Sequence, residues 1–222
     1  MSAFYGYKVI GFFQSAEDVT KSPVQKDAKM GRYKYADING DNKVDDKDRT
    51  YIGNPNPDFS FGLNLNLSYA NFDMSAFFYG VQGKDVVNYT GWWTDYYASF
   101  QGAKSKAALN DAWTPTNPNA RLPIVENSSN ESNQAVFNSS LIEDGSYLRL
   151  KTIVLGYTIP KSKISKAGID KIRIYAQAAN LFTITNYRGL DPEFAGGDTA
   201  FGIDYGNYPN QKQFLFGVNV SF

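Results

Sequence analysis

The 222 residues include no cysteine and no histidine. The first absence excludes disulfide frameworks, thiolate zinc sites and cysteine nucleophiles. The second removes the commonest general base and transition-metal ligand, and with it a Ser-His-Asp triad. Neither sign of charge is in excess, since Lys+Arg and Asp+Glu balance at 22 each, so no electrostatic case arises for nucleic acid or an anionic surface. Long apolar runs are missing too. None approaches the ~18 residues of a spanning helix, although barrel strands carry a far weaker signal per segment and are untouched by that test. The opening "MSAFYGYKV" has no basic region followed by an apolar one, so no export signal is visible there.

What the chain has in abundance is aromatic side chains, 16 Tyr and 16 Phe, set among Asn, Ser, Gly and Asp. That mixture suits an all-β protein. The clearest strand is "FSFGLNLNLSY", in which Phe59, Phe61, Leu63, Leu65, Leu67 and Tyr69 fall on one face and Ser60, Gly62, Asn64, Asn66 and Ser68 on the other. A tight turn at Ala70-Asn71 leads to "FDMSAFFYGVQG". Further strands are expected at Tyr147–Ile159, at "KIRIYAQAANLFTI" and at the terminal "KQFLFGVNVSF"; "AFYGYKVIGFFQ" and "GRYKYAD" read as two more near the start.

These strands exceed the usual length of about five to six residues, and their connections alternate between short and long. An irregular stretch from Lys84 to Gly145 and a second long loop from Asn186 to Asn210 contrast with the Ala70-Asn71 turn and the modest "PKSKISKAGID". Long strands with short turns at one end and long loops at the other form the pattern of outer-membrane barrels. A soluble β-sandwich is the alternative.

Three groups of residues are candidate sites. "DINGDNKVDDKD" places Asp37, Asn39, Asp41, Asp45 and Asp48 at positions one, three, five, nine and twelve of an EF-hand-type Ca2+ loop, with Lys43 contributing its backbone carbonyl at position seven. Asn42 replaces the usual glycine, a position where Asn tolerates the left-handed conformation, and no amphipathic helix flanks the loop. The expectation is a static structural calcium site, set against an Asx-rich turn without metal. Trp92, Trp93, Tyr96 and Tyr97, with Phe100, offer flat faces for stacking on a sugar ring, set against packing within their loop or against a partner. Gly217, Val220 and Phe222 fit the Gly-x-x-apolar-x-aromatic ending typical of chains recognised by the barrel-assembly machinery. Carboxylate pairs such as Glu143/Asp144 point to opposite faces of a strand and give no enzyme reading.

Taken in order, "FYGYKVIGFFQ", "YKYADINGDNKVDDKDRTYIGNPNPDFSFGLNLNLSY", "FDMSAFFYGVQG", "AWTPTNPNARLP", "SYLRLKTIVLGYTIPKS", "IRIYAQAANLFTITNYRGLDPE" and "GIDYGNYPNQKQFLFGVNVSF" resemble successive blocks from the C-terminal end of SusC/RagA-type TonB-dependent outer-membrane transporters. The resemblance implies an antiparallel transmembrane barrel of about 22 strands filled by a plug, paired with a SusD-like surface lipoprotein, and importing glycans or peptides with energy from TonB. It further implies that residues 1–222 are the C-terminal part of that barrel, with the plug, the TonB box and the earlier strands lying elsewhere. About seven strands fall short of the eight of the smallest barrels, so the chain alone is not expected to transport. With the terminus periplasmic, the Asp37–Asp48 loop falls on the extracellular side. The competing expectation is a soluble, calcium-stabilised β-domain that binds carbohydrate.

Overall fold

The computed structural model describes residues 3–96, 98, 102–133, 135–164, 168–194, 197 and 200–222. The chain begins with short strands: β1 (Phe4–Tyr7), β2 (Val9–Phe12), β3 (Val24–Gln25), β4 (Tyr33–Tyr35), β5 (Lys43–Val44) and β6 (Arg49–Gly53). Among the described residues β1 pairs with β6, β2 with β4 and β3 with β5, and Tyr7 at the end of β1 also bridges Asn138. There follow β7 (Phe59–Tyr69), β8 (Phe72–Gln82), β9 (Asp85–Asn88), β10 (Ile142–Asp144), β11 (Tyr147–Thr158), β12 (Lys171–Ala179), β13 (Thr183–Thr185), β14 (Ile203–Asp204) and β15 (Gln213–Ser221).

The long strands make one antiparallel sheet in the order β15-β12-β11-β8-β7, with β13 continuing β12 alongside β11. The sheet does not close into a barrel. β1 and β2, with β4, lie outside it, which corrects the expectation of seven wall strands. Their alternating aromatics are buried against one another rather than in the long sheet.

Strand register sorts the side chains of the sheet into two faces, because paired residues point the same way. On one face lie Phe59, Phe61, Leu63, Leu65, Leu67 and Tyr69 of β7, opposite Phe72, Met74, Ala76 and Phe78 of β8. Leu155 and Tyr157 of β11, Ile172 and Ile174 of β12, and Phe214, Phe216, Val218 and Val220 of β15 continue it. Most of these side chains are exposed, Tyr69 at 85% and the terminal Phe222 at 87%. The other face, called inner below, carries Ser60, Asn64, Asn66, Ser68, Asp73, Ser75, Arg173, Gln177 and Asn219. A soluble sheet hides its apolar face; this one hides its polar face less than it displays its Leu and Phe.

Eleven-residue strands such as β7 and β8 match the ~9–11 residues that a tilted strand needs to cross a bilayer. Aromatic rings mark both ends of the apolar band. Phe72 and Tyr157 meet at 4.7 Å near the short turns, and Phe78 and Phe182 at 6.5 Å near the long connections. Among the described residues no helix is long and apolar enough to cross a membrane, a result that leaves strands out of account.

Above the long-connection end sits a cap built from residues 3–58 and the segment between β8 and β11. Its core is aromatic: Phe4, Tyr7, Tyr33, Tyr35 and Tyr96 pack with Val87, Leu122 and Leu141. Tyr7 stacks on Tyr35 at 5.1 Å and Phe12 on Tyr33 at 5.3 Å. The Tyr33 and Tyr96 hydroxyls share a 2.6 Å hydrogen bond. Burial pushes both hydroxyls above the ordinary tyrosine range, so they stay neutral and serve as hydrogen-bonding groups.

Candidate functional site

The sheet's inner face is joined across strands by ion pairs. Arg173 of β12 reaches over β11 to Asp73 of β8, with Nε donating to Oδ1 at 2.9 Å and Nη2 to Oδ2 at 2.5 Å. Gly156 of β11 lies directly beneath, and a Cβ there would stand 2.4 Å from the Arg173 guanidinium and 2.5 Å from Asp73. Gly217 does the same for the Tyr175 ring, whose atoms would come within 2.4 Å of a Cβ. The glycine of the terminal motif therefore has a local role: it seats an aromatic ring from the neighbouring strand. Val220 and Phe222 point to the exposed apolar face.

A second cluster joins the inner face to the last long connection. Arg149 of β11 is 3% exposed and is held by Thr183 Oγ1 at 2.7 Å, Glu193 Oε2 at 2.6 Å and Asp191 Oδ1 at 2.5 Å. Lys151 also pairs with Glu193. The register of β11 slips between Leu150 and Thr152 against β8, which sets Thr152 as well as Arg149 on the inner face. Sequence reasoning passed over this cluster, although Arg149 and Lys151 interrupting an apolar strand at a spacing of two was a readable signal.

The predicted calcium residues form a loop closed by its own backbone. Asp37 accepts from the amides of Gly40 at 2.7 Å and Asn42 at 2.8 Å; Asn39 accepts from Asp41 at 2.9 Å, and Asp41 from Lys43 at 3.0 Å. Asn42 takes φ of 65°, the left-handed turn expected of it. Asp45 accepts from the Lys47 amide and the Lys43 ammonium, each at 3.0 Å. Asp48 is fully buried and accepts from Ile38, Asn39 and Asp45 amides at 2.8, 3.3 and 2.8 Å. Among the described residues no three acidic groups gather as a metal cage. The donors are hard oxygens of the right kind for Ca2+. Holding the ion would require Lys43 to release Asp45 and the carboxylates to turn toward one centre.

The aromatic group divides. Tyr96 is 6% exposed and belongs to the cap core, which corrects its reading as a stacking platform: a ring with no free face cannot receive a sugar. Tyr97 and Phe100 lie outside the described residues. Trp92 and Trp93 stand on a short helix, Tyr89–Asp95, and two residues missed in the sequence join them. Tyr89 stacks on Trp92 at 5.2 Å and meets Tyr205 edge-on at 5.1 Å. Trp93 and Tyr205 remain 40% and 59% exposed. The opposite side of this helix lines a cavity of about 340 Å³ whose lining includes Asn88, Thr94, Asp95, Arg121, Arg188 and Leu190.

An antiparallel sheet with one long apolar exposed face, one mixed and more polar face that also carries Phe77, Val81 and Leu215, and its long connections at one end has the pattern of a barrel wall. Sequence comparison makes the class specific. The chain is 35% identical, over its full length, to TonB-dependent receptor P3 of Formosa agariphila, and 34% identical over 99% of its length to TonB-dependent receptor P26 of the same organism. It is 28% identical over 98% of its length to TonB-dependent receptor SusC of Bacteroides thetaiotaomicron. Among solved structures it superposes on the RagAB peptide transporter with a TM-score of 0.77 at 28% identity, and on the open-open state of the RagAB peptide importer with 0.75, each covering 99% of this chain. No family model matches the chain. It spans about a fifth of these relatives, 22% of P3 and 20% of SusC. In sequence and in fold the chain is similar to one portion of these TonB-dependent receptors and of the RagAB transporter. Those relatives are receptors and transporters, not enzymes.

Proposed function

We propose that the chain supplies neighbouring wall strands, and the cap above them, to an outer-membrane importer of oligosaccharides or peptides energised through TonB. The two-faced sheet carries this reading. Its Leu and Phe face suits lipid, and its Ser, Asn and ion-paired face suits a water-filled or plugged lumen. In that setting the short turns are periplasmic and the cap is extracellular. A SusD-like lipoprotein is the proposed partner over the cap, TonB acts through parts of the receptor outside these residues, and the barrel-assembly machinery reads Gly217, Val220 and Phe222. Trp92 and Trp93, with Tyr89 and Tyr205, are the proposed stacking surface for a sugar ring.

Calcium is proposed as a brace for the Asp37–Asp48 loop. A carboxylate has about four lone-pair sites, so oxygens already accepting an amide can still face a cation. Extracellular modules bind Ca2+ with dissociation constants of roughly 10⁻⁴–10⁻³ M, which suits a set with Asp48 in place of a longer bidentate glutamate.

Among the described residues the sheet edges β7 and β15 have no further strand partner, and each unsatisfied backbone group in lipid costs several kcal/mol. The 222-residue chain alone is therefore inferred to be transport-incompetent. Fractionation and uptake test the whole reading. The receptor should pellet with membranes and require detergent, and its loss should abolish TonB-dependent uptake of one cargo. Recovery of this chain as a soluble, folded monomer without detergent would favour the carbohydrate-binding β-domain instead.

A further inference from the structure

At Asp191 and Glu193 the last long connection, residues 186–211, is tied to the inner face by charge; farther along, β14 pairs with β9 and Ile203 packs against the cap core. Leu190, Tyr205 and Tyr208 of this strap are exposed, while Asp191 and Glu193 are drawn to Arg149 and Lys151. One more cation completes the group. Lys84 donates to the Pro192 carbonyl at 3.3 Å and stands 4.8 Å from the Phe194 ring, and it forms no ion pair among the described residues. Burial holds its ammonium below the usual lysine range, against the pull of Glu193 and Asp191. Three cations thus face two carboxylates, and a partly buried charge without its counter-ion is costly.

The two carboxylates are not equally committed. Asp191 is 6% exposed in its side chain, and its second oxygen accepts from Asn210 N at 2.9 Å and Nδ2 at 3.1 Å. Glu193 is 28% exposed and is the more replaceable. Resting on the importer reading, we propose that Arg149, Lys151 and Lys84 form a carboxylate-receiving basin on the inner wall. The chain's own Asp191 and Glu193 plug it at rest, and an acidic cargo competes with Glu193 and loosens the segment at residues 191–194.

Chymotrypsin cleavage of the strap in the purified full-length receptor tests this. The probes are an oligogalacturonate and a neutral malto-oligosaccharide of equal length. The acidic probe should speed cleavage after Phe194 roughly tenfold, since cleavage follows the open population, and the neutral one should not. Glu193→Gln should speed cleavage without any probe and bind the acidic probe several-fold more tightly. Lys84→Met should stay resistant and lose the response to the probe. Unchanged cleavage with the acidic probe, or a Lys84→Met variant that responds like the parent, overturns the proposal. Both readouts come from purified receptor, so they stand apart from uptake in cells: absent uptake would sink the importer reading, whereas an inert strap in an active importer sinks only the basin.

Discussion

Asp48 shows how much one side chain can organise in this cap. Its burial raises the carboxyl pKa, but the amides of Asp45, Asn39 and Ile38 outweigh that and hold it below the ordinary carboxylate value. A depressed folded pKa means that the contribution to stability is full above the unfolded value near ~3.9 and is lost as pH falls through the folded one. Asp48→Ala leaves three amides short of their acceptor. The expected loss is about 1–3 kcal/mol, read as faster hydrogen exchange at Ile38 and Asp45. In the parent the same two amides should lose protection only below about pH 4; equal protection in parent and variant would show that the loop closes by other means. Gly156 and Gly217 make the converse point, since the absence of a Cβ lets a neighbour's guanidinium or ring lie across the strand.

Among the elements, the Asp37–Asp48 loop carries the calcium proposal. Millimolar Ca2+ should slow its proteolysis in the receptor and chelation should reverse the effect, with Asp41→Ala abolishing both; indifference to chelator would leave a self-closed Asx turn. How far elements were legible depended on where their partners lie. β7, β8, β11, β12 and β15 announced themselves because each runs over nine or more residues, and a slip of one residue would invert both faces. β1 and β2 also alternate, yet β1 pairs with β6 some forty residues on, between Tyr7 and Arg49, and nothing local in "AFYGYKV" tells a cap strand from a wall strand. Tyr96 was misjudged for the same reason: its burial is set by Tyr33 and Ser140, distant in sequence. The Arg149–Asp191–Glu193 cluster was half visible, as two cations in an apolar strand, but its acidic partners lie over forty positions away.

At the scale of the molecule, the account rests on the sheet having lipid on one side and a lumen on the other. The cap, strap and ion pairs all take their meaning from that division. This chain has no cysteine; with any cysteine elsewhere in the receptor replaced, single cysteines can be introduced along β7 and spin-labelled in liposomes. Accessibility to oxygen and to a water-soluble nickel chelate then reports the surroundings of each position. The account predicts strict alternation: Leu63, Leu65 and Leu67 oxygen-accessible and shielded from nickel, Asn64 and Asn66 the reverse. Leucine positions as open to nickel as the asparagines would contradict it, because a strand wet on both faces is no part of a membrane wall.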